Sequence, residues 1–67
     1  MIFLKFYNDD GDQTLVNLAR VAHIVQDELL LNITTQDANT FRVAGKLDDL
    51  EKALARVGEA PVTILEL

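Results

Sequence analysis

The sequence predicts an α+β fold: a strongly twisted antiparallel sheet of four to five strands, with one helix in the C-terminal half packed on one face. Three observations predict it. Apolar residues alternate with a period of two through much of residues 1–44, the spacing of strands. From Lys46 the period changes to three and four, the spacing of an amphipathic helix. Polar turns, Asn8-Asp9-Asp10-Gly11-Asp12 and Gln36-Asp37-Ala38-Asn39, stand between the alternating segments.

The first strand has Ile2, Leu4 and Phe6 on one face and Phe3, Lys5 and Tyr7 on the other. Asp10-Gly11 then signals a hairpin, because Gly11 takes positive φ without steric cost. Residues 14–18 form the return strand, and Asn17-Leu18-Ala19-Arg20 a short redirecting turn. Residues 21–26 are extended again, with Val21, His23 and Val25 expected on one face and Ala22 and Ile24 on the other. Asp27-Glu28 marks a reversal. Leu29, Leu31 and Ile33 form the apolar face of the strand over 29–35, and Phe41 and Val43 continue it over 40–44. Asn39 is the residue expected to take the left-handed conformation in the turn between them.

Leu47, Leu50, Leu54 and Val57 give a helix stripe over residues 47–57. Asp48, Asp49 and Glu51 lie near its start and Arg56 near its end, as the helix dipole favours. Gly58 is placed for a left-handed cap, and Ala60-Pro61 stops the helix. Residues 62–67 form a last, edge strand.

Sixty-seven residues make one domain, and a chain this short buries only about 60% of its unfolded surface. Disulfides, metals or association are the usual reinforcements. Cysteine is absent and histidine occurs once, which leaves association. Eleven Asp and Glu against six Lys and Arg give a net charge of −5, which opposes a phosphate backbone. The basic residues are scattered, so non-specific nucleic-acid binding is disfavoured. The N-terminus lacks the basic and long apolar regions of a signal peptide, and no segment approaches the ~18 apolar residues of a membrane span. A cytoplasmic location and no membrane contact are the expectation.

Candidate chemistry resolves to structure at each position. Asp9, Asp10 and Asp12 invite a cation, but their spacing departs from the calcium-loop pattern, and a solvated turn explains them. His23 lacks partners, since serine and cysteine are both absent, and reads as a strand residue. Asp27/Glu28 and Asp48/Asp49 are sequence neighbours at a turn and a helix start, where acids are ordinary. Phe3, Phe6, Tyr7 and Phe41 lack the basic surroundings of a base-stacking platform. The expectation is no catalytic residue, no metal and no cofactor.

Ile33-Thr34-Thr35-Gln36-Asp37, Thr40-Phe41-Arg42-Val43 and Leu47-Asp48-Asp49-Leu50-Glu51 resemble the strand–turn–strand–helix signature of LytTR-type DNA-binding domains. Together with residues 16–24, the resemblance covers around 40 residues, the first half of such a domain. It implies a compact nucleic-acid-binding regulator, whose positive charges here are Lys5, Arg20 and Arg42. The family's DNA contacts lie in a basic stretch further on. Gly58-Glu59-Ala60-Pro61 and residues 62–67 stand there without a basic residue, so no contact carries over. The whole chain also resembles small bacterial and phage proteins of the flagellar FlbD-like kind. These open with a strand and an acidic-glycine turn, end in a helix and carry no catalytic residues.

Several strands bear apolar residues on both faces, and one helix covers only one face of a sheet. The rest must curl into a small barrel or be covered by another molecule. The expected function is a non-enzymatic protein-interaction module, a homo-oligomer that also docks an unidentified protein through an open sheet face or edge. Phe3, Tyr7, Leu65 and Leu67 are the expected contact residues.

Overall fold

The computed structural model describes all 67 residues. The strands are β1 (Ile2–Tyr7), β2 (Gln13–Asn17), β3 (Val21–Asp27), β4 (Leu30–Thr35), β5 (Thr40–Ala44) and β6 (Thr63–Glu66). The helix α1 (Leu47–Ala55) lies between β5 and β6, and a 3₁₀ turn, Leu18–Arg20, joins β2 to β3. The fold is α+β. Its strands form two three-stranded sheets, ordered β2-β1-β6 and β3-β4-β5, and not the single antiparallel sheet that the alternation predicts. Three of the four strand pairings, β1–β2, β3–β4 and β4–β5, are antiparallel and join strands consecutive in the chain. The exception is β6, which pairs parallel to β1, with Phe3 opposite Ile64 and Leu4 opposite Leu65.

The core explains the split. Leu4, Phe6 and Val16 from the first sheet meet Leu31, Ile33 and Val43 from the second, with Leu50 of α1 completing the cluster. The Phe6 and Phe41 rings meet edge to face, with centroids 5.6 Å apart. A helix of nine residues with one buried side chain covers little of an open sheet. The two sheets cover each other's inner faces instead. The helix therefore does not lie on an outer face; its Leu50 enters the shared core, and Leu47 and Leu54 pack beside it. It ends at Ala55, two residues before the predicted end, in i→i+3 bonds from Arg56 to Ala53 and from Val57 to Leu54. This tightened last turn needs no left-handed residue, and Gly58 does not take positive φ.

The turns follow local chemistry. Gly11 has φ +83°, as the hairpin requires, and the Asn8 carboxamide oxygen accepts from the Asp10 and Asp12 amides. In the β4–β5 turn the left-handed residue is Ala38 (φ 70°), not Asn39. Ala38 N–H donates to Thr35 C=O and Thr35 N–H to Asn39 C=O, which makes a three-residue loop with its left-handed position at the third residue. A register shift between Val21 and His23 bulges β3 at Ala22. The bulge separates Val21, packed against the core, from His23 and Val25, which face outward.

Gln26 ties three segments together. Its Nε2 donates to the carbonyls of Glu28 (2.8 Å), Leu30 (3.1 Å) and Gly45 (3.1 Å), and its Oε1 accepts from Leu47 N–H at 2.6 Å. Lys46, the residue before the helix, supplies no side-chain cap, so Gln26 caps α1 from β3.

Candidate interaction surface

Strand parity decides what each sheet shows to the outside. On β1, Leu4 and Phe6 point into the core, so Phe3, Lys5 and Tyr7 point out. The pairing register extends that outward face to Gln13, Leu15 and Asn17 on β2 and to Ile64 and Glu66 on β6. Leu15 is 54% exposed, Ile64 52% and Tyr7 65%, and Phe3 lies half-buried between Asn17 and Ile64. Met1 and Val62 are exposed next to them in the chain. Lys5 and Glu66, paired across β1 and β6, make an ion pair of 3.8 Å. The face is a band of apolar side chains with one internally balanced pair of charges.

The outer face of β3-β4-β5 is of another kind. It carries His23, Asn32, Thr34, Thr40 and Arg42, with Thr34 and Thr40 hydroxyls 3.1 Å apart and only Val25 strongly exposed among its larger apolar residues. That composition suits water, apart from the Asn32 carboxamide oxygen, which is shielded from it without a hydrogen-bond partner.

The four contact residues expected from sequence do not fall on one surface. Phe3 and Tyr7 share the outward apolar face. Leu65 lies opposite Leu4 and packs against the core, while Ile64 takes the place beside Phe3. Leu67 follows β6, donates its N–H to Lys5 C=O at 2.9 Å and lines a cleft with Leu50, Ala53 and Leu65. Leu15 and Ile64 are the face residues that sequence reasoning missed. The signal for Leu15 was its alternation with Val16 in the return strand. Ile64 and Leu65 are adjacent and both apolar, so only the register with β1 separates them.

A groove of about 430 Å³ lies at the border of this sheet, lined by Leu15, Val16 and Asn17 of β2, Phe41 of β5 and the β4–β5 turn. Arg20 and Asp37 also line it. Asp37 is held below the ordinary aspartate value of 3.8, first by the Thr35 hydroxyl that donates to its carboxylate, with Arg20 and Asn39 adding to the effect. The Thr35 and Asp37 pair thus organises the turn.

The three positive charges of the nucleic-acid expectation are dispersed: Lys5 on one outer face, Arg42 on the other, and Arg20 in the groove. No group of three or more His, Asp or Glu side chains is arranged to hold a metal ion. No helix is long and apolar enough to cross a membrane. Comparison of the chain with known protein families, with curated proteins and with solved structures finds no match.

Proposed function

We propose that this chain is a non-enzymatic interaction module that self-associates, and that sheet β2-β1-β6 is the surface through which it docks, by its open face or its edge. The observation that carries this reading is the outward band of Phe3, Leu15, Tyr7 and Ile64. It stands on a domain whose own core holds seven buried apolar side chains. At ~0.8 kcal/mol per buried CH₂, covering part of that band adds appreciably to so small a core. The chain's charge of −5 favours contact where no acid is left unpaired, and on this face the one acid, Glu66, is paired with Lys5.

The test is solution mass by size exclusion with light scattering over a dilution series. A dimer or larger species at micromolar concentration is the expected result, and a monomer at every concentration refutes self-association. Phe3→Asp with Ile64→Asp separates the two routes within this sheet: loss of association assigns the contact to the open face, and retained association assigns it to the edge. Leu65→Asp is unsuitable for this purpose, because Leu65 packs against the core and its ionisation there would unfold the domain.

A further inference from the structure

The edges of the two sheets are protected unequally. An exposed strand edge recruits other strands unless charge, proline, a bulge or shortness prevents it. β3 is bulged at Ala22 and ends in Asp27; β5 carries Arg42; β6 has four residues, carries Glu66 and follows Pro61 closely. β2, Gln13-Thr14-Leu15-Val16-Asn17, has none of these devices: it is uncharged, regular in register and rich in strand-forming residues.

The direction of its backbone groups follows from the hairpin. Asn8 N–H donates to Asp12 C=O, which makes 8 and 12 a hydrogen-bonded pair. Alternation then makes Phe6–Thr14 and Leu4–Val16 hydrogen-bonded pairs, and leaves Gln13, Leu15 and Asn17 with backbone groups turned to the free edge. The other side of β1 agrees, because Met1 and Lys5 carbonyls accept from Thr63 and Leu67, so odd residues of β1 serve β6. Gln13 and Leu15 are exposed, and the strand opens onto the groove whose far wall is Arg20, Phe41 and the β4–β5 turn, the space an added strand would enter.

We infer that β2 pairs antiparallel with β2 of a second copy across a two-fold axis at Leu15, joining the two sheets β2-β1-β6 into one of six strands. The sequence of the strand is self-complementary in character about that residue. Leu15 would face Leu15, Thr14 would face Val16, and Gln13 would face Asn17, so each pair is apolar, β-branched or amide on both sides. No charge meets a like charge, although each copy carries −5. The inference rests on the self-association reading and deepens it, by choosing the edge over the face and a second copy as its occupant.

The decisive variant is Leu15→Pro. It removes an N–H that points to the free edge and leaves the β1–β2 hydrogen bonds in place, a setting in which a strand tolerates proline. Leu15→Thr keeps the N–H and serves as its control. The expected result is that the wild type, Leu15→Thr and the Phe3→Asp/Ile64→Asp pair have twice the chain mass, while Leu15→Pro falls to the chain mass with its circular dichroism unchanged. A wild-type dimer that Leu15→Pro leaves intact overturns edge pairing and leaves self-association standing. A wild-type monomer overturns both. Should Leu15→Pro unfold, oxidative cross-linking decides. The chain has no cysteine of its own, and paired residues about 5.5 Å apart at Cα lie within disulfide reach. Leu15→Cys should cross-link to a dimer and Tyr7→Cys should not; equal behaviour of the two overturns the proposed register.

Discussion

Replacing Gln26 with alanine should cost more than any other change to a polar side chain in this domain. The carboxamide has two N–H bonds shared among three carbonyls, and one oxygen that receives Leu47 N–H. That amounts to three full hydrogen bonds, each contributing a net ~0.5–1.5 kcal/mol. Water reaches part of the site, since the bonds to Leu30, Gly45 and Leu47 are only partly buried and that to Glu28 is exposed. The expected loss is therefore about 2–3 kcal/mol, of which the helix cap alone accounts for about 1 kcal/mol. A domain of this size holds only about 3–10 kcal/mol in total. At roughly 4–8 °C per kcal/mol, the thermal midpoint should fall by about 10–20 °C. Urea unfolding followed by circular dichroism measures the loss directly, and amide exchange at Leu47 should accelerate. Gln26→Glu separates donor from acceptor. At neutral pH it keeps an oxygen for Leu47 but turns a carboxylate toward three carbonyls, so it should be at least as damaging as Gln26→Ala. A loss below about 0.5 kcal/mol for Gln26→Ala would refute the idea that this side chain holds β3, β5 and α1 together.

Two further outcomes test the β4–β5 turn. Ala38→Gly should stabilise the domain by about 0.5–1 kcal/mol in urea unfolding, because relief of the left-handed strain at φ 70° exceeds the entropy that glycine adds to the unfolded chain. Asp37→Asn should lower the thermal midpoint at pH 7 and lose that effect in acid. The folded-state pKa of Asp37 is depressed, so its contribution is present above the ordinary value of 3.8 and is lost as the pH falls through the lower folded value. Midpoints measured from pH 7 to pH 2 should therefore converge for the two proteins. A constant difference across that range would show that the Thr35 hydroxyl does not act through the charge of Asp37.

Local pattern made much of this fold legible. The alternation of Leu4 and Phe6, of Leu31 and Ile33, and of Phe41 with Val43 identified the inward faces, and all of these side chains sit in or against the core. Asp10-Gly11 located the first turn, and the change of period at Lys46 located the helix. What was illegible depended on partners distant in sequence. The parallel pairing of β6 with β1 joins residues about sixty apart, and no local signal in Thr63-Ile64-Leu65-Glu66 distinguishes the outward Ile64 from the inward Leu65. The bulge at Ala22 inverted the expected side of Val21. Gln26 read as an ordinary polar strand residue, since its role exists only once Gly45 and Leu47 arrive beside it.

The same division explains why apolar patterning points to Phe3 and Tyr7 and not to Leu15. Apolar patterning locates faces, because a side chain left uncovered is visible in the sequence as a hydrophobic residue out of place. An edge is defined by backbone groups, which every residue carries, and its openness appears only when the pairing of all strands is known. β2 became conspicuous through comparison with β3, β5 and β6, each of which carries a bulge or a charge that β2 lacks. Protecting three edges and leaving the fourth bare is what a domain requires if one edge must remain available for pairing. A charge at position 15 would protect that edge as effectively as Asp27 or Arg42 protect theirs, and Leu15 instead places an apolar side chain at the centre of an uncharged strand.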